Sequence, residues 1–556
     1  MNPAQGNPGV APVNAPLPSA PPRLLPWQKK PNPIWVRELR QSARLGRTPW
    51  VLLAITLAIG LLICSIGGLG AETTSPGEVG EVLYQVFFSL AAAVVAVVGP
   101  GVAANAIASE REGRTWEAIL LTAVPASTVA RGKFLAAFSG IALYIVALAP
   151  IGAVSFLFGG VTAFEVVAGF GFLFAFAALC VTFGLAVSSL MKSTRGAIVV
   201  TLLLAIFIAP MLYGFFGVGG SVAVHSIWHG IKEGPPIWLP LAFTRAEFGA
   251  EYVFLLVVSP LVLFGAPSWL LYELTVVNLS DDAEDKSTRI KRWFFGTFAL
   301  LMTLGPLPAF LIDPDRGRAA AALLALLGFS AYLLFVAFLF AGEPLFPSRR
   351  IRILSERANA SWLTRFMGPG LVQTQLSVMV LGAVGLSLLG LLGAGAARQD
   401  NDKAMCLVSY AMYAAPYFVF VVGLITWLRG RGLASWVVRL IAGAVLFVIA
   451  VVPWVGAAIV GILSRGSGGD DAWLVIGSPS PFYIGVMFES IGRNRPNSAM
   501  IIGAGVAMAG LYFVVGIALM AAGTHAARTR RDAQLALEAD LDRSLASEAA
   551  AEAQGA

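Results

Sequence analysis

The strongest chemical pattern in this sequence lies between Ser109 and Lys133, in SEREGRTWEAILLTAVPASTVARGK. The run opens with alternating charges, Glu110, Arg111, Glu112 and Arg114, and continues with Trp116, Ile119, Leu120 and Val124 at helical spacing. A charged face beside an apolar one predicts a short amphipathic helix along a membrane surface. From spacing alone, an ordinary basic loop is an equal reading. Bond-making chemistry has little support elsewhere. The phosphate cradle G-x-x-x-x-G-K-[ST] does not occur, and Gly132-Lys133 lacks both the upstream glycine and the following hydroxyl. ATP hydrolysis by this chain alone is therefore not expected. His225 and His229 are four apart, which on a helix sets both on one face. With no H-E-x-x-H glutamate or nearby cysteine they do not make a metal site, and none is expected. Cys64, Cys180 and Cys406 sit in apolar runs without ligand or pairing spacing and read as small buried hydrophobes.

The elements that must carry this segment are membrane spans. The 556 residues are 57% hydrophobic and 12% charged, too apolar for a chain that must cover itself with polar surface. A crossing needs about twenty apolar residues. Twelve runs qualify: Trp50–Gly70, Val82–Asn105, Phe134–Phe158, Phe164–Met191, Gly196–Val218, Tyr252–Leu274, Trp293–Ile312, Ala319–Ala341, Leu371–Gly395, Ala404–Leu428, Val437–Leu463 and Ala499–Ala522. The fold class is thus an all-α membrane protein of about twelve helices in two six-helix halves. Placing both termini inside puts about 29 of the 38 Lys and Arg residues on the cytoplasmic side, as the positive-inside rule asks. That distribution also explains the net charge of +7 without nucleic acid. No span carries an ionisable residue near its centre, whereas a secondary transporter needs one there. Glu165 and Glu273 lie near span ends.

The polar stretch NLSDDAEDKSTRIKR divides the spans six and six. The expected organisation is a disordered Pro/Ala-rich lead over 1–31 without a secretory signal, a first half over 32–279, a linker over 280–292, a second half over 293–524 and a tail over 525–556. The tail is expected to form a separate, solvated helix. In each half a Gly/Pro-rich outer segment precedes the last span, Gly219–Glu251 and Ser464–Asn497.

Two motifs resemble ABC transporter permeases of the ABC-2 type. After the second span, Glu110, Arg111, Glu112, Thr115, Glu117, Leu120, Leu121, Thr122, Pro125, Gly132 and Lys133 match in order the family's Glu-Arg-Glu, Gly-Thr, Glu, Leu-Leu-x-Thr-x-Pro and Gly-Lys pattern. Here Gly113 precedes Arg114 rather than the threonine, and two residues separate Thr122 from Pro125. Before the first span, NPIWVRELRQSARLGRTPW looks like the family's Asn-Pro opening, with Arg37, Glu38, Arg40, Arg44 and Arg47 suited to a membrane-interface helix. The second half lacks the Glu-Arg-Glu signature.

The resemblance implies a cell-membrane permease, bacterial and of the inner membrane, acting as an exporter driven by a separate cytoplasmic ATPase subunit. ATP and Mg would be bound by that partner, and this chain would hold no cofactor. In such permeases the loop after the second span is a coupling helix docked in the ATPase, which assigns partner contact to Glu110, Arg111, Glu112, Arg114, Thr115, Trp116, Glu117 and Pro125. The outer segments would be short re-entrant helices. The chain would work either as a homodimer or as a self-sufficient pair of halves. A non-transporting membrane scaffold is the reading from another class.

Overall fold

The computed structural model describes residues 31–43, 47–71, 75–122, 124–228, 230–231, 239–281, 284–312, 317–357, 361–464, 471–493 and 497–555. Among these residues there are helices and turns and no strand. The first part comprises α1 (Pro33–Ala43), α2 (Arg47–Ala71), α3 (Pro76–Glu112), α4 (Trp116–Leu121), α5 (Ala126–Gly152), α6 (Val154–Phe158), α7 (Ala163–Leu190), α8 (Thr194–Tyr213), α9 (Gly219–Ile227), α10 (Ala250–Tyr252) and α11 (Ser259–Leu279). The second comprises α12 (Ser287–Leu304), α13 (Leu307–Leu311), α14 (Arg318–Phe340), α15 (Arg349–Arg357), α16 (Trp362–Met367), α17 (Leu371–Ala396), α18 (Asn401–Gly430), α19 (Ser435–Ser464), α20 (Tyr483–Arg493) and α21 (Ser498–Gly555).

Eleven helical stretches among the described residues are long and apolar enough to cross a membrane. The first predicted span falls on α2, where the continuous apolar stretch is the shorter Thr56–Ile66. Local chemistry sets several boundaries. Thr162 and Glu165 form a reciprocal capping box that starts α7, with the Thr162 N–H donating to Glu165 Oε2 at 2.7 Å. Asp400 caps α18 by accepting from the Lys403 N–H at 3.1 Å. Pro260 has no N–H to offer one turn back, and the chain just before α11 widens into a π-helix over Val253–Val258.

Two apolar cores form. One gathers residues from Ile34 to Leu279 around α3 and α7, and the other gathers residues from Leu270 to Met520 around α18. They meet through α11 and α12, where Trp293 Nε1 donates to the Ala266 carbonyl at 2.9 Å. In the second core α18 and α21 approach backbone to backbone. A Cβ at Gly423 would stand 2.3 Å from the Gly516 carbonyl oxygen, so only glycine permits this crossing.

Several sequence expectations change here. Ser109–Lys133 is not one amphipathic helix. The span helix α3 continues through Glu112, the chain reverses at Gly113–Arg114 with Arg114 at φ 55°, and only Trp116–Leu121 forms a short helix. The tail is not a separate helix either, because α21 runs without a break from the last span to Gly555. Gly523 does not stop it, being taken up by the close approach to Thr426 of α18. The lead to Lys30, Arg44 and His229 lie outside the described residues, as does the Arg47 side chain. His225 Nδ1 is 3.3 Å from the Ile231 carbonyl oxygen.

Gly423→Val should destabilise the purified protein by about 1–3 kcal/mol or more by overpacking the crossing. Gly443→Val, on α19 with open space around its Cβ position, should leave thermal unfolding unchanged. Equal unfolding temperatures for the two variants would refute the role of the crossing.

Candidate functional site

The two sequence motifs converge on one charge cluster. Asn32 heads α1, accepting from the Ile34 N–H at 3.0 Å and donating to the Thr128 carbonyl beside α5 at 2.8 Å. Gly132 lets α1 lie against α5, since a Cβ there would stand 2.7 Å from Ile34 Cβ and 2.9 Å from Asn32 Oδ1. The next residue, Lys133, is 2% exposed. Its Nζ reaches Glu38 Oε1 at 2.9 Å and Glu110 Oε1 at 2.8 Å. Arg37 bonds the same two oxygens, 2.8 Å from that of Glu38. Two cations and two carboxylates thus join α1, α3 and α5, and the four formal charges cancel. A buried ion pair is stable only when its charges and remaining hydrogen-bonding sites are matched. The second oxygen of Glu110 has no hydrogen-bond partner among the described residues. Burial pushes the Glu38 carboxyl upward, but Lys133 and Arg37 outweigh it and hold the group below its ordinary value. The hydrogen bond to Glu38, with further attraction from Glu110, raises the Arg37 guanidinium.

Successive helical residues point about 100° apart, and the three charges ending α3 go to different elements. Glu110 faces α1 and α5. Arg111 donates to the Ser189 carbonyl at the end of α7 at 2.6 Å, and its guanidinium carbon lies 5.7 Å from the Trp116 ring centroid. Glu112 accepts from the Thr194 N–H at 2.8 Å, in the first turn of α8, where a negative charge suits the exposed N–H groups. The Thr115 N–H closes the reversal by donating to the Glu110 carbonyl at 2.9 Å. Trp116 and Ile119 pack on the chain's own core, whereas Arg114, Thr115, Glu117 and Pro125 are exposed and Leu121 is 88% exposed. Arg40 is exposed and apart from the cluster.

Lys133 and Leu121 were in the motif but were not singled out from sequence as site residues. A lysine followed by FLAAF must find an anion when that helix packs, which is the signal that could have identified it.

A second buried pair occurs at the corresponding place in the later part of the chain. Lys291 of α12 and Glu343 after α14 are 3.7 Å apart, and both are almost fully buried. Lys291 also donates to the carbonyls of Phe366 at 3.3 Å and Gly368 at 2.5 Å, while Glu343 accepts from Ser287 and from the Gly370 N–H at 3.2 Å. Burial raises the Glu343 carboxyl against the pull of Lys291. The basic α15 beyond it is met by the acidic extension of α21, through Arg349–Asp542 at 2.8 Å and Arg352–Glu538.

Residues 68–233 match a family model described as ABC-2 family transporter protein. No curated protein sequence gives a significant match. The matched region contains Glu110, the reversal at Gly113 and Lys133; Arg37 and Glu38 precede it.

Lys133→Met leaves two carboxylates facing each other without their buried cation, and should cost about 3–5 kcal/mol of stability. Thermal unfolding of the purified protein measures this, and an unchanged midpoint would refute the role of the cluster. Glu38 is depressed below its ordinary 4.5 in the fold. Its contribution is therefore complete above pH 4.5 and is lost as pH falls through the lower folded value. Glu38→Gln should remove that part of the acid destabilisation.

Proposed function

We propose, from the premise that this multi-pass membrane protein carries an ABC-2 family transporter segment over residues 68–233, that it is the membrane subunit of an ABC transporter driven by a separate ATPase. The observation that carries this reading is the joining of α1, α3 and α5 by the Arg37–Glu38–Glu110–Lys133 cluster directly beside the exposed reversal. A partner that closes on ATP and Mg and pushes on Arg114, Glu117 and Leu121 would move three helices together. Trp116 and Arg111 hold the turn in place, and Leu121 is the apolar side chain left for the partner. In this reading Glu110 and Glu112 transmit the push, through α1 and α5 and through α8.

The basic segments favour an orientation with the reversal and both termini in the cytoplasm. The family resemblance favours export. The separate cores and the two lysine–glutamate pairs favour two repeated halves in one chain. In the second half the tail covers α15 at the position equivalent to the reversal, so a single ATPase contact, in the first half, is the arrangement these contacts support.

Co-purification with a cognate ATPase tests the coupling. Leu121→Asp and Glu117→Arg should each weaken association tenfold or more, the size expected for a central interface residue, and reduce the permease's effect on ATP hydrolysis. Trp116→Ala should weaken association and also lower thermal stability. Wild-type binding by Leu121→Asp together with Glu117→Arg would remove the reversal as the docking site.

A further inference from the structure

A cavity of about 390 Å³ opens among α14, α17, α18 and α20. Its size is within the range of small-molecule sites. The walls are leucine and aromatic side chains, with Tyr410, Tyr413, Tyr417 and Phe418 contributed by successive turns of α18. Leu327 and Phe482, which also line it, are 47% and 67% exposed. Those two side chains stand at a rim on the apolar flank of a membrane helix bundle, where the surrounding medium is lipid hydrocarbon.

The walls are held before any ligand arrives. The Tyr413 hydroxyl donates to the carbonyls of Ser478 at 2.7 Å and Ser480 at 3.1 Å, and the Tyr512 hydroxyl donates to Pro479. Trp454 Nε1 donates to Ser480 Oγ at 2.9 Å. These bonds fix the turn that carries Phe482. Tyr410 is also satisfied, through Ser330 Oγ at 2.9 Å. Tyr417 differs. Its side chain is buried and lines the cavity, yet its hydroxyl has no hydrogen-bond partner among the described residues. A hydroxyl unpaired in an apolar environment costs about 1–3 kcal/mol, and a water here would lack the two to four polar partners it needs.

We infer that this cavity binds one long hydrocarbon chain bearing a single acceptor oxygen, a fatty-acyl ester drawn from the bilayer, with the Tyr417 hydroxyl donating to the ester carbonyl. The chain fills the aromatic walls and the ester satisfies the one stranded donor. This site is independent of the coupling reading, lying in the other half of the chain and needing no ATPase.

The test is photolabelling of the protein in liposomes with a diazirine-bearing long-chain methyl ester, alongside the diazirine alkane of equal length. Ester adducts should concentrate in 323–334, 410–418 and 481–488. Ala414→Phe should reduce them about tenfold, and Tyr417→Phe should reduce ester labelling several-fold while leaving alkane labelling unchanged. Leu327→Trp blocks the exposed rim without entering the core, and should reduce both probes even if Ala414→Phe lowers stability. Leu324→Phe, exposed on the same helix and outside the cavity, should label as wild type. Adducts that persist when the ATPase and Mg-ATP are added identify a resident lipid, and adducts that fall during turnover identify cargo; both support the site. Labelling spread evenly over the lipid-facing helices, or ester labelling unaffected by Tyr417→Phe and Leu327→Trp, overturns it.

Discussion

A charge can be buried at the end of a membrane helix only with an opposite charge and with its hydrogen-bonding sites filled, and that constraint fixes how this bundle is joined. Lys133 is nearly inaccessible, so its ammonium must be met from neighbouring elements. Glu38 comes from α1 and Glu110 from α3, and neither could reach it unless Gly132 allowed α1 to cross α5 at contact distance. The asparagine that opens α1, the glycine before the lysine and the glutamate that ends the second span therefore form one solution to one electrostatic problem. Removing any charged member leaves its partners buried and unbalanced.

The later half meets the same constraint with different residues. There the lysine belongs to α12, before the helix that carries the equivalent glutamate, and backbone carbonyls beside α16 replace the second carboxylate. The charge balance is kept while the lysine changes its place in the chain. This is why the second half shows no Glu-Arg-Glu echo in its sequence: physical equivalence at the level of a buried pair does not require the same residues at the same spacing.

The long apolar runs were legible because burial in hydrocarbon imposes length and composition directly, and most run boundaries fall within a turn or two of the helix ends. The start of α7 was legible in the same sense, since Thr162 and Glu165 carry the capping-box spacing. The end of α3 was not. Nothing in REGRT marks Arg114 as the left-handed residue, a conformation that costs a non-glycine residue roughly 1–2 kcal/mol and is held here by the contacts of Arg111, Glu112 and Thr115 with other elements. Reading the charges as one amphipathic face failed for the same reason, because Glu110, Arg111 and Glu112 are each claimed by a different helix. The continuous α21 was missed because polarity changes near Arg528 while helix propensity does not, and polarity alone does not end a helix.

At the opposite end of the first half a second set of charges closes the bundle. Arg245 pairs with Glu81 at 3.0 Å and with the buried Glu165 at 3.4 Å, and donates to the Gly160 carbonyl at 2.7 Å. The segment before the last helices is thus tied to the starts of α3 and α7. With ion pairs at both ends and a close-packed apolar interior between them, the first half has little freedom to bend internally. A displacement imposed near Gly113 is carried by the half as a body, and strain collects where packing is thinnest. That place is the seam of α11 with α12, which joins the two cores through few side chains. Rigid halves with a yielding seam make a rotation between them the low-energy response to a push, as in the rigid-body class of conformational change.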